Sequence, residues 1–153
     1  ASVAVLGASP RTGSIGGTVV RNIVEGGFGG QIYAINRTGD SITGVPGSQS
    51  VADIPERIDL AVICVPAEVV QRGAESFLRR GTRALCVISA GFAETGGEGA
   101  DRERKLLATV RAHVARLIGP NCPGVIPPGP GHSPCLPERV PSAKRPEFSP
   151  YLG

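Results

Sequence analysis

At 153 residues the chain is about one domain's worth, and its formal charge of +3, without a run of Lys or Arg, suits a bound anion but gives no broad nucleic-acid surface. With 22 Gly, 14 Pro, 4 Phe, 2 Tyr and neither Met nor Trp, turns are frequent and the core must be aliphatic. No apolar stretch nears the roughly 20 residues that span a bilayer and no signal peptide is visible, so a cytoplasmic protein is expected; the lack of an initiating Met suggests a trimmed start or a fragment.

"SVAVL" (2–6) reads as a short buried strand, followed by the Gly-rich turn "GASPRTGSIGG" (7–17). Ser14 is placed to N-cap the helix "IGGTVVRNIVE", whose Ile15, Val19, Val20 and Ile23 share a face, and Gly26 and Gly27 stop it. "QIYAI" (31–35) is the second strand, and "NRTGDSITGVPGS" a turn-rich crossover before a short helical turn capped by Ser50. "DLAVICV" (59–65) is a strand ended by Pro66, and "AEVVQRGAESFLRR" (67–80) an amphipathic helix closed by Gly81. "RALCVIS" (83–89) is another buried strand and "AGFAETGGEG" a mobile loop. "ADRERKLLATVRAHV" (100–114) is a third helix, and "RLIG" (116–119) the last strand.

Continuous apolar strands separated by helices predict an α/β fold, a Rossmann-like, doubly wound parallel sheet covered on both faces. This domain should occupy residues 1–126. Residues 127–153, with eight prolines and no periodic apolar pattern, are expected to form an extended or disordered tail.

In an open parallel sheet, ligands bind beyond the carboxyl ends of the strands, where the strand order reverses. The segments "GASPRTGSIG", "NRTG", "VPA", "SAGFAE" and "GPNCPG" should therefore converge on one edge. Gly13, Ser14 and the next amides open a helix, whose N–H groups and dipole favour an anion, and Arg11 adds a full charge. The alternative is that these glycines only let helix and strand pack closely. An NAD site wants an acid after the second strand, but the chain offers Asn36 and Arg37, with the nearest acid at Asp40. A cation there suits a phosphorylated ribose, of NADP or coenzyme A, or is simply a solvated arginine.

Cys64, Cys86, Cys122 and Cys135 form no C-x-x-C pair, and two of them sit in apolar runs, so reduced thiols and no metal are expected. His113 and His132 have no spacing that makes either a partner for Cys122, so no catalytic residue is predicted.

Taken together, "SVAVLGAS", "GSIGG", "LAVICVPAEVV", "VISAGFAETGGEG" and "LIGPNCPGV" resemble the coenzyme A (CoA)-binding domain of the NDP-forming acyl-CoA synthetases and the succinyl-CoA synthetase alpha subunit. The resemblance runs from residue 2 to about 126 and is closest to the former, including ADP-forming acetyl-CoA synthetase. It implies that "TGSIG", here Thr12, Gly13, Ser14, Ile15 and Gly16, cradles CoA phosphates, with Ser9 and Arg11 of the same loop as further candidates beside it. Asn36 and Arg37 would lie near the ribose, while Val65, Pro66 and Ala67 would border the adenine. Ile88, Ser89 and Ala90 would line the pantetheine arm, and Asn121 and Cys122 would lie near the thiol.

Two departures stand out. Where the family commonly carries Pro and a basic residue, as in "VNPK", this chain reads "INRT". The family's ligases also use a phosphorylated histidine in a following domain and an ATP-grasp partner, and His132 in "GPGHSP" matches neither. The expectation is a CoA-binding domain, truncated or standing alone and inactive as a ligase by itself, with other ligase domains or subunits as its partners. A non-catalytic CoA or acyl-CoA-binding regulatory module and an NADP-binding oxidoreductase fragment are the alternatives.

Overall fold

The computed structural model describes residues 1–122, so the Pro-rich segment, with His132 and Cys135, lies outside the described residues. Six parallel strands form one sheet: β1 (Ser2–Leu6), β2 (Gln31–Ile35), β3 (Gly47–Ser48), β4 (Leu60–Ile63), β5 (Ala84–Val87) and β6 (Arg116–Ile118). Their order is β3-β2-β1-β4-β5-β6, so the winding reverses between β1 and β4. Three helices cover the sheet: α1 (Ile15–Glu25), α2 (Ala67–Arg79) and α3 (Gly97–Ala112). Single 3-10 turns lie at Val51–Asp53 and Ala93–Thr95.

The strands are apolar throughout because successive side chains enter two different cores. Ala4, Ile35, Ala61, Ile63, Leu85 and Val87 pack with α2 and α3, through residues such as Phe77, Ala74, Leu106 and Val110. Val3, Val5, Ala34, Val62, Cys86 and Ile88 pack with α1, through Val19 and Val20. Helix α2 comes close to β1 because Gly73 faces Leu6: a Cβ at Gly73 would lie 2.5 Å from Leu6 Cδ2.

Several boundaries differ from the sequence reading. β4 and β5 stop at Ile63 and Val87, two residues early, because the chain there leaves the ladder to build loops. β3 escaped the reading altogether: a two-residue Gly-Ser strand carries no hydrophobic alternation. Gly47 is required there, since a Cβ would lie 2.1 Å from Asp40 O. Helix α3 starts at Gly97 instead of residue 100 and ends at Ala112, with Val114 in the left-handed region at φ 52°. Ile15 does not share the buried face of Val19 and Val20; it is 55% exposed, in the first turn of α1 at the sheet's edge.

Candidate functional site

Because every strand runs parallel, the loops after β1, β2, β4, β5 and β6 share one edge, and hydrogen bonds tie them into a continuous crest. The amides of Gly7 and Ala8 donate to Ile35 O at 2.9 and 3.2 Å, and the Cys64 amide donates to Leu6 O at 2.8 Å. Ser89 Oγ donates to Val65 O at 2.5 Å, and the Asn121 amide donates to Ser89 O at 3.0 Å. The described residues of all five predicted segments therefore lie along this edge. The chain winds in opposite directions from the paired strands β1 and β4, and the crevice at such a reversal is the position at which open α/β sheets hold their ligands.

The glycines of the first loop divide into two kinds. Gly7, at φ 88°, carries its backbone against β4: a Cβ would stand 2.5 Å from Cys64 O. Gly16 and Gly17 press α1 onto the loop, where a Cβ would fall 2.3 Å from Gly7 O and 2.2 Å from Ser9 O. For these three the packing explanation holds. Gly13, at φ 80°, has nothing within 4 Å of where a Cβ would be, so it serves conformation and leaves open space above the helix start.

Ser14 caps α1 as expected. Its Oγ accepts from the Gly17 amide at 2.9 Å and donates to Ser9 O at 3.0 Å. Among the described residues, the N–H groups of Thr12, Gly13, Ile15 and Gly16 have no hydrogen-bond partner. They are unspent donors at a helix N-terminus, where the helix dipole adds partial positive charge. Arg11 is exposed beside them and forms no ion pair among the described residues, and exposed Ile15 adds apolar surface. An anion, and a phosphate above all, fits this arrangement.

The second loop is shaped by Asn36, whose side chain bonds within the loop through both its nitrogen and its oxygen. Nδ2 donates to Asp40 O at 2.8 Å, while Oδ1 accepts from the Thr38 and Asp40 amides at 3.2 and 2.9 Å. Thr38 Oγ1 in turn donates to Asp40 Oδ2. Asn36 thus positions the loop, and Arg37 projects from it, exposed. Along the rest of the crest, Val65, Pro66 and Ala67 present an apolar shoulder of half-buried to exposed residues. Ile88 turns into the α1-side core at 9% exposure, so only its backbone reaches the crest. Ser89 spends its hydroxyl on Val65 O, and Ala90 is exposed. Asn121, at φ 54°, brings its exposed side chain to the far end beside Cys122.

Residues 90–99, read as a mobile loop, are pinned instead. Glu94 accepts from the Gly91 and Phe92 amides at 2.5 and 3.1 Å, Glu103 accepts from the Ala93 amide at 3.1 Å, and Arg102 donates to Gly91 O at 3.2 Å. Glu94 escaped the sequence reading; the signal was an acid three residues after a glycine, in reach of the turn's amides. Arg102 also borders a cavity of about 150 Å³ between α2 and α3, lined by Glu68, Gln71 and Lys105 and reaching Ala67 of the crest.

Among the described residues no acid–base pair sits in the crevice. His113 caps the C-terminus of α3, its Nδ1 2.9 Å from Thr109 O, at the edge of the sheet opposite the crest. Burial pushes the Cys64 thiol up to about 12, with Cys122 adding to it, so Cys64 stays protonated near neutrality. Among the described residues no group of three or more His, Cys, Asp or Glu could hold a metal, and no helix is long and apolar enough to cross a membrane.

Two predictions follow from this geometry. Gly7→Ala should cost about 2–5 kcal/mol, from left-handed strain plus overpacking against Cys64, whereas Gly13→Ala should cost only about 1–2 kcal/mol, from strain alone. Urea unfolding of both variants checks this, and equal losses would contradict the division of the glycines. The Glu94 carboxyl is held below its ordinary range, chiefly by the Gly91 amide. Its contribution should be full above the unfolded-state pKa, about 4.3, and should disappear as pH falls through the lower folded value. Hydrogen-exchange protection at Gly91 and Phe92 should drop over that window, and Glu94→Gln should remove the dependence.

Comparison with known proteins matches residues 1–128 to the family described as the CoA binding domain. The chain is 44% identical over 124 residues to an ADP-forming acetate–CoA ligase I of Archaeoglobus fulgidus, covering 81% of this chain and 18% of that protein. It is 40% identical over 130 residues to the alpha subunit of an ADP-forming acetate–CoA ligase I of Pyrococcus furiosus, covering 82% of this chain and 28% of that subunit. Its fold also matches the dinucleotide forming acetyl-coenzyme A synthetase 1 of Ca. Korarchaeum cryptofilum, solved with phosphate and ADP, at a TM-score of 0.81 and 32% identity. That match covers 91% of this chain and 30% of the synthetase, so the chain spans less than a third of each of these relatives. The family match over residues 1–128 and these identities over most of the chain show that it belongs to the CoA-binding domain family.

Proposed function

We propose that the crest binds coenzyme A with its diphosphate on the amides of Thr12, Gly13, Ile15 and Gly16, and that the domain is the CoA-binding unit of an NDP-forming acyl-CoA synthetase. The observation that carries this reading is the set of unspent N–H donors around an open Gly13 at the start of α1. Arg11 supplements them, and Arg37 takes the ribose phosphate, in keeping with a loop that has no acid directly after β2. Ser9 and Ser14 hold the loop to α1 and so fix the direction of the amides. The apolar shoulder of Val65, Pro66 and Ala67 borders the adenine. The pantetheine arm runs past the backbone of Ile88, Ser89 and Ala90 toward Asn121 and Cys122.

In this reading the chain's own residues bind and orient CoA, and no step of group transfer falls to them. The phosphohistidine and ATP-grasp functions belong to other domains or subunits, working in the cytoplasm. There an acyl phosphate forms, its phosphoryl group passes to histidine, and the acyl group is delivered to the CoA thiol. His113 is no candidate for that relay, because it lies on the opposite edge of the sheet.

Calorimetric titration tests the reading. CoA should bind more tightly than NADPH or NADH, and Gly13→Val, which places a branched side chain in the open space, should weaken CoA by at least tenfold, about 1.4 kcal/mol, with native circular dichroism. Tighter binding of NADPH, or an unchanged CoA affinity in the variant, would contradict it.

A further inference from the structure

Two thiols lie side by side where β5 meets the last described loop. Cys86 belongs to β5, points into the α1-side core and is 1% exposed. Cys122, 36 positions further on, packs against the same core and is half-buried. Their Sγ atoms are 3.6 Å apart, and Cys122 Sγ also donates to Val87 O at 3.3 Å. The loop carrying Cys122 is held to the segment just after β5 by the Asn121 amide on Ser89 O at 3.0 Å, so the two sulfurs are kept together by the fold. All three described cysteines are thiols.

We propose that Cys86 and Cys122 form a redox-active dithiol that a low-molecular-weight disulfide converts to an intramolecular disulfide. The sulfurs need to close from 3.6 Å to the bonded separation of about 2.05 Å. Cys122 is the point of entry, because it is the more exposed of the two. Its thiolate attacks one sulfur of the reagent; the reagent's S–S bond breaks, and the first small thiolate leaves and takes up the proton Cys122 gave. The Cys86 thiolate then attacks Cys122 Sγ in the mixed disulfide and expels the second small thiolate, which is protonated in turn. Two electrons pass from the protein to the reagent, yielding one protein disulfide and two small thiols. Cys64 is half-buried like Cys122, but it is held protonated near neutrality and takes no part. No CoA enters the reaction, so the dithiol does not rest on the ligand assignment, although Cys122 also stands at the thiol end of the proposed CoA path.

The test treats the full chain with oxidised glutathione and maps the products by mass spectrometry. Cys122 and Cys135 share the tryptic peptide that runs from residue 117 to 139, so fragment ions must assign the linked sulfur. Two of the four thiols should be lost as a Cys86–Cys122 link that retains no glutathione, and a reductant should restore all four. Cys86→Ser should instead hold one glutathione on Cys122, while Cys64→Ser should form the link as the parent chain does. Should a serine variant not fold, the mapping of the parent chain decides alone. Glutathione retained on Cys122 of the parent chain, a link from Cys122 to Cys135, or four unreacted thiols would overturn the proposal.

Discussion

Gly7 is where three stretches of backbone cross with no room for a side chain, and the crevice exists because they do. Its amide and that of Ala8 take Ile35 O, its α-carbon lies against the Cys64 carbonyl, and its own carbonyl sits under Gly16 of α1. The positive φ of 88° turns the chain off β1 at the point where the sheet winds in opposite directions. Any L-residue there would be strained and would collide with β4, so β1, β4 and α1 would have to separate. With Gly7 in place, α1 begins low over the sheet and its first amides open onto the crevice.

The remaining loops are set by a relay that starts from the same place. Val65 follows the carbonyl that Gly7 touches, Ser89 bonds to Val65, and Asn121 bonds to Ser89. The hydroxyl of Ser89 and the amide of Asn36 are thus occupied in holding the site's shape. What the crest leaves for a ligand is mainly backbone: N–H groups over the first turn of α1, with exposed Arg11 and Arg37 on the flanks. A site built from main chain tolerates changes in side chains.

Much of this was legible in the sequence because the signals were periodic or stereochemical. The apolar runs located five strands, Ser14 announced the start of α1, and Ser50 announced the 3-10 turn at Val51–Asp53. Gathering the five loops on one edge required only the parallel topology. Other features left no one-dimensional trace. β3 is two residues long and is fixed by tertiary contact with β2. Ile15 kept the helical period yet fell beyond the end of the sheet. The pinning of residues 90–99 depends on Glu103 and Arg102, about ten residues away along the chain, which no local pattern reports. Glycines that need space and glycines that need a positive φ also look alike in sequence; Gly16 and Gly13 separate only when their surroundings are known.

The central claim is that CoA phosphate rests on the amides at the start of α1, and an amide-resolved NMR titration of the 15N-labelled chain with CoA addresses it directly. The account predicts that the resonances of Thr12, Gly13, Ile15 and Gly16 move first and furthest, with smaller shifts along residues 65–67 and 89–90 and none at His113. Shifts centred on the cavity between α2 and α3, at Glu68, Gln71 and Arg102, with the first loop unmoved, would contradict it.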